Sequence, residues 1–219
     1  MIVWLVQGQP RYISQEGRIA FISDIGADML KPLFVTGASV TGVGFFLCLV
    51  IERYLRHSGR LMPHMRTRER VLSTLAVIWA AIGGAGLILL AVFDTARYTT
   101  HHRLFLLIFI VGVTFSAIFT IIEYRWISKD FEFARELRIA YLVKAVIASV
   151  LIVLAIAFAV ALYYATNVGA VLEWVIAFLF TFYVLTYFFD LRQSKGVDRG
   201  ELHHHRTGSN ANVPMSQVS

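Results

Sequence analysis

A chain of 219 residues with 58% hydrophobic residues, a mean hydropathy of +0.67 and 16% charged residues is not a soluble globular domain, where roughly half the residues are apolar and about a quarter charged. A soluble fold this small has no interior for so much apolar surface, whereas a bilayer takes it. The net charge of +6 is confined to particular loops, which argues against nucleic-acid binding, and Cys48, the single cysteine, allows no intrachain disulfide.

Residues 1–32 are mixed in character. Met1–Val6 is apolar but too short to span, because a spanning helix needs about 20 apolar residues. It lacks the basic residues that open a signal peptide. It reads either as the end of a helix that begins outside this sequence or as an interfacial anchor with Trp4 at headgroup depth. The stretch from Phe21 to Pro32 carries Ser23, Asp24, Gly26, Asp28 and Lys31, and a long apolar run starts directly after it. Here the chain enters lipid. Ser23 or Asp24 is expected to cap a short helix, its side-chain oxygen accepting from a free N–H. Asp24 and Asp28, four apart, also fit a pair of carboxylates on one helical face.

Five apolar runs follow, over 33–51, 71–93, 104–122, 142–164 and 171–189. At about 1.5 Å per residue, such runs cover a hydrocarbon core of about 30 Å. They lack the alternation of barrel strands, as Leu104–Phe109 illustrates. The expected fold class is therefore all-α, a polytopic bundle of five full transmembrane helices over residues 1–190. Pro32 suits the first turn of the first helix, where its missing N–H costs nothing. Residues 191–219 have few bulky apolar side chains and read as a disordered tail.

Loop charge gives orientation. Fourteen basic residues lie between runs one and two, between runs three and four, and after run five, against five on the other side. The positive-inside rule makes the first set, and the C-terminus, cytoplasmic, and puts the Phe21–Pro32 stretch on the lumenal or outer face. Five helices then require an outside N-terminus, unless a further helix ending at Met1–Val6 precedes them.

Small residues cluster in two helices, with Ala38/Gly42 in the first and Ala80/Gly84 and Ala81/Ala85 in the second. Such pairs let backbones approach closely in lipid, either within the bundle or along a dimer seam. A channel or pump needs paired ionisable groups in the interior. The candidates, Lys144 and Glu173, lie near helix starts, where a side chain is expected to snorkel to the headgroups. Arg53, Arg56, Arg60, Arg66, Arg68 and Arg70 are candidate anionic-lipid contacts, each basic residue near an anionic leaflet contributing about 1 kcal/mol. Ile127, Phe131, Ala134 and Leu137 stand at helical spacing and suit extensions of the neighbouring helices along the surface. His101–His102 is read as part of an outer loop, and His203–His205 lies in the tail. Neither has convergent ligands, so no metal site, cofactor or catalytic set is expected.

Tyr12-Ile13-Ser14, the segment Ile22-Ser23-Asp24-Ile25-Gly26-Ala27 and Pro32-Leu33-Phe34 resemble the start of the Frag/DRAM/Sfk membrane proteins, with their CWH-type N-terminal domain, and a fungal origin fits. The likeness extends over most of residues 1–190 in helix spacing and loop charge. It implies six helices with both termini cytoplasmic, so this chain would lack most of helix one. The family includes lysosomal autophagy modulators, proteins assisting GPI-anchor lipid remodelling, and fungal plasma-membrane proteins that support phosphatidylinositol 4-kinase recruitment and lipid asymmetry. It supplies no agreed catalytic residues. The resemblance implies an integral membrane regulator or scaffold linked to phosphoinositide signalling, lipid distribution or autophagy, without catalysis of its own, in the plasma or endolysosomal membrane. Its implied partners are membrane lipids, including phosphoinositides, and a lipid kinase complex or other membrane proteins. The alternative is a component of lipid or GPI-anchor remodelling with a polar lumenal site.

Overall fold

The computed structural model describes residues 6, 8, 11, 12, 14–28, 30–58, 67–130 and 135–192, with the side chains of 127–141, 189, 190 and 192 left aside. Arg60, Arg66, the Met1–Leu5 stretch, the tail beyond Arg192 with its histidine triplet, and the Ile127–Leu137 face lie outside what is described.

The described helices are α1 (Ile22–Gly26), α2 (Lys31–His57), α3 (Thr67–Val92), α4 (Thr99–Asp130), α5 (Arg135–Tyr164) and α6 (Thr166–Arg192). Among the described residues, the five from α2 to α6 are long and apolar enough to cross a membrane. Most run past the apolar windows expected from sequence, because a helix continues into the headgroup region with polar residues that hydropathy does not count. Pro32 sits in the first turn of α2, as expected. The gap at 165–170 between the last two apolar runs is not a loop. Only Ala165 separates α5 from α6, since its N–H bonds to Ala161 O and Gly169 N–H bonds to Ala165 O, both at 2.9 Å. Local helix bonding overrides the loop-forming tendency of Asn167 and Gly169. His101 and His102 likewise lie in the first turns of α4 and not in a loop.

The five long helices close a ring, α2 on α3, α3 on α4, α4 on α5, α5 on α6 and α6 on α2. Lipid tails are as apolar as the helices, so close backbone packing replaces hydrophobic burial as the cohesive force. The small residues supply it within the molecule. A Cβ on Gly42 would stand 2.8 Å from Gly84 O, and one on Gly84 2.8 Å from Gly42 O. Gly83 and Gly86 of α3 press in the same way on the α4 backbone at Val113 and Phe109. Ser116 Oγ adds a hydrogen bond across that joint, donating to Ala76 O at 2.9 Å. Phe45, Ala80, Ala117, Ala148, Phe180 and Tyr183, drawn from all five helices, fill the lower centre. Val150, Val153, Ile156 and Val160 point outward from α5, as a lipid-facing surface requires.

Candidate functional site

Polar side chains gather at both ends of this ring, in the family-like motif at one end and the arginine-rich loops at the other. At the motif end, residues 14–28 form a strap docked on α6. Phe21 N–H donates to Asp24 Oδ2 at 3.0 Å, so the Asp24 carboxylate reaches back to the start of α1 as a helix-opening cap. Ser14 Oγ donates to the other Asp24 oxygen at 2.6 Å. Ile22 N–H donates to Glu173 Oε2 at 2.6 Å. Asn167 Oδ1 accepts Arg18 N–H at 2.7 Å and Ile19 N–H at 3.3 Å, and Trp174 Nε1 donates to Ala20 O at 3.1 Å. Ala20 and Ile25 pack beside Tyr12, Leu30 and Trp174. The motif is therefore a folded lid whose backbone donors are satisfied by Asn167 and Glu173 of α6 and by its own Asp24.

Two expectations change here. Glu173 does not snorkel to headgroups; it caps α1, because the strap brings free N–H groups within its reach. Asp24 and Asp28 do not pair, since Asp24 is buried in the capping network while Asp28 is exposed. The neighbouring Lys31 donates to Asp94 Oδ2, tying the start of α2 to the end of α3. Burial raises the Asp94 pKa, but the Lys31 ammonium and the Arg97 N–H at 2.8 Å outweigh it and hold the carboxyl below its ordinary range. His102 Nδ1 donates to Leu90 O and Phe93 O at 2.8 and 3.0 Å, satisfying orphan carbonyls at the α3 C-terminus. That is a structural task, and among the described residues no cluster of metal-ligating side chains occurs.

The basic end holds an ion cluster that hydropathy reading misses. Glu52 and Arg56 of α2, Glu123 and Tyr124 of α4, Lys144 of α5 and Tyr187 of α6 are all buried. Arg56 Nη2 donates to Glu52 Oε1 at 2.7 Å, and its Nε lies 3.9 Å from Glu123 Oε1. Tyr124 O–H donates to Glu52. The Lys144 ammonium stands 3.6 Å from the Tyr187 ring centroid and 5.0 Å from that of Tyr124, with the Arg56 guanidinium 4.7 Å from the latter. Two acidic side chains thus face two basic ones, and aromatic faces take up part of the cationic charge.

Lys144, at 1% exposure, does not snorkel either. Arg56 cannot touch a headgroup at 3% exposure, which removes it from the candidate lipid contacts. The expected want of interior ionisable pairs is corrected by the same cluster. Glu52 and Glu123 fall one position beyond the apolar runs 33–51 and 104–122, although Glu52 and Arg56 at i,i+4 do carry a pairing signal. Of the remaining arginines, Arg53 donates to Arg70 O at 3.2 Å and to Thr74 Oγ1, bridging α2 and α3. Arg68 and Arg70 are exposed.

The family model described as the Frag1/DRAM/Sfk1/Cwh43P N-terminal domain matches residues 1–194. Protein sfk1 of Schizosaccharomyces pombe is 30% identical over 171 residues, covering 78% of this chain and 52% of that protein. Protein SFK1 of Saccharomyces cerevisiae is 31% identical over 153 residues, covering 57% of this chain and 43% of that protein. The chain thus spans about half the length of these relatives. No solved structure matches. A helical bundle with five spans among the described residues, the lid motif and a match over residues 1–194 converge, and the chain belongs to the Frag1/DRAM/Sfk1/Cwh43P family of membrane proteins.

Proposed function

We propose that this protein is an integral membrane regulator or scaffold acting on phosphoinositide signalling or lipid distribution, without catalysis of its own. The observation that carries this reading is the use of the polar motif residues. Both Asp24 oxygens and Glu173 Oε2 are engaged in holding the strap, and Ser14 donates to Asp24. Groups so engaged organise a fold more readily than they turn over a substrate.

At the basic end, exposed Arg68 and Arg70 extend from the first turn of α3. The positive-inside rule turns this end to the cytoplasm, where anionic lipids are concentrated. The natural partners are phosphoinositides and the lipid kinase complex that makes them, at the plasma or endolysosomal membrane. The test is binding of phosphatidylinositol 4-phosphate to the full chain in phosphatidylcholine nanodiscs. With about 1 kcal/mol per arginine, Arg68→Ala with Arg70→Ala is expected to weaken binding by roughly 10- to 30-fold. Unchanged binding with unchanged thermal stability would count against the reading.

A second reading, a component of lipid or GPI-anchor remodelling, is favoured by one observation. Ser14, Asp24, His102 and Glu173 line a single polar cleft at the motif end. Expression of Asp24→Asn in cells lacking the protein separates the two readings. Intact lipid structures and normal levels of GPI-anchored proteins would sink the second.

A further inference from the structure

Two cavities are stacked beneath the strap. The outer is a polar cleft of about 320 Å³ and the inner an apolar chamber of about 230 Å³. Leu106, Phe158 and Glu173 line both, so the two adjoin at the Glu173 carboxylate. All five long helices contribute to the chamber, through Ala38, Leu87, Ile110, Phe158 and Ile176. A smaller space below it, between α4, α5 and α6, shares Phe109, Ile110, Ile176 and Phe180 with the chamber and ends at Ala117 and Tyr183. The lining of the chamber and of this smaller space, about 40 Å³, together extends along α4 from Leu106 to Ala117, about 16 Å at 1.5 Å per residue. One leaflet, half of a hydrocarbon core of about 30 Å, has that depth. Ala177 and Thr181, exposed on α6, line the chamber together with Ala38 and Thr41 of α2, so it opens sideways at the α2–α6 joint. A lipid chain can enter there from the bilayer.

Charge selects the headgroup. Among the described residues, the cleft is lined by three carboxylates, Glu16, Asp24 and Glu173, against one arginine, Arg103. His102 Nδ1 is already committed to two carbonyls and is not free for a headgroup. Arg103 lies at the exposed rim, its Nη2 3.5 Å from Glu16 Oε1. An anionic headgroup meets a surplus of negative charge, and a choline headgroup has no N–H to give the carboxylates. A primary ammonium offers three donors. The geometry points to a binding site for one amine-headgroup phospholipid of the phosphatidylethanolamine class, with its ammonium toward Glu173, its phosphate toward Arg103 and one acyl chain in the α4–α5–α6 path.

This site rests on the reading of the protein as lipid-associated, but it lies at the opposite end from Arg68 and Arg70. Failure of the phosphoinositide test therefore leaves it standing, and its own failure leaves that test standing. The experiment is native mass spectrometry of the full chain in detergent, equilibrated with equal amounts of phosphatidylethanolamine, phosphatidylcholine, phosphatidylglycerol and a sterol. Glycerophosphoethanolamine, which has the headgroup and no chains, serves as competitor. The expected result is one retained phosphatidylethanolamine, favoured about tenfold over phosphatidylcholine, as loss of one charge-assisted hydrogen bond implies. The chainless competitor fails to displace it at equal concentration. Ala177→Trp fills the chamber from its exposed wall and abolishes retention without lowering the melting temperature. Glu173→Gln reduces the preference for phosphatidylethanolamine. Should Glu173→Gln fail to fold, Ala177→Trp alone decides. Equal retention of all the phospholipids, occupancy by the sterol instead, displacement by the chainless headgroup, or undiminished retention in Ala177→Trp would each overturn the assignment.

Discussion

Lys31 and Asp94 sit where α2 begins and α3 ends, and their ion pair fixes the spacing of the two helices at the motif end. The Asp94 side chain is 2% exposed and that of Lys31 32%, so the pair is shielded on one side only. Because the folded Asp94 pKa is held below its ordinary value, its stabilisation is fully present above the unfolded aspartate range and is lost as pH falls through the folded value. Asp94→Asn is expected to cost about 1 kcal/mol at neutral pH, read as a lower thermal midpoint of the purified protein. That gap from the wild type should close on acidification. A gap that stays constant to low pH would show that the carboxylate charge contributes nothing. Such roles were only partly legible in the sequence. Capping by Asp24 was legible in kind and not in position: a Ser or Asp was expected ahead of a short helix, whereas Asp24 lies inside α1 and reaches back to Phe21 N–H. The capping role of Glu173 was not legible, because its partner Ile22 lies 151 positions away.

The helices themselves were read correctly from apolar runs, because a membrane span needs length and hydropathy and little else. What hydropathy could not give was the direction in which each rare charge points. A charged residue near the end of a run reads equally as a snorkelling side chain or as a buried partner, and only the neighbouring helix decides. In α5, Lys144 meets Tyr124 of α4 and Tyr187 of α6, which takes it inward. The cluster thus links α2, α4, α5 and α6 near the basic end. Removing one member leaves its partners buried with unbalanced charge, a change that typically costs about 3–5 kcal/mol. Lys144→Met keeps the volume and removes the charge, so it should lower the thermal midpoint sharply. Adding Glu123→Gln should recover part of the loss. If Lys144→Met unfolds at the wild-type temperature, the cluster does not hold the helices together. The glycine contacts were more legible, since small residues at a spacing of four have one common use in lipid, and Gly42 meeting Gly84 is that use within one molecule.

At the scale of the molecule, a ring of five spans carries a folded lid at one end and an ion cluster with exposed arginines at the other. On the orientation proposed above, the arginine end faces the cytoplasm. Fold class was available from composition and run length, and family membership from the Ile22–Ala27 motif. The stacked cavities were not, because their walls come from all five helices and no linear pattern marks them. The reading as a regulator requires that the protein change where existing lipids reside or how much of them is made, and not their covalent structure. Mass-spectrometric lipid profiling of cells lacking the protein, with leaflet-resolved labelling and wild-type rescue, tests this most directly. The account predicts altered amounts or leaflet distribution of normal lipid species, restored by the wild-type chain. Accumulation of an unconverted lipid or anchor precursor, cleared on rescue, would contradict it.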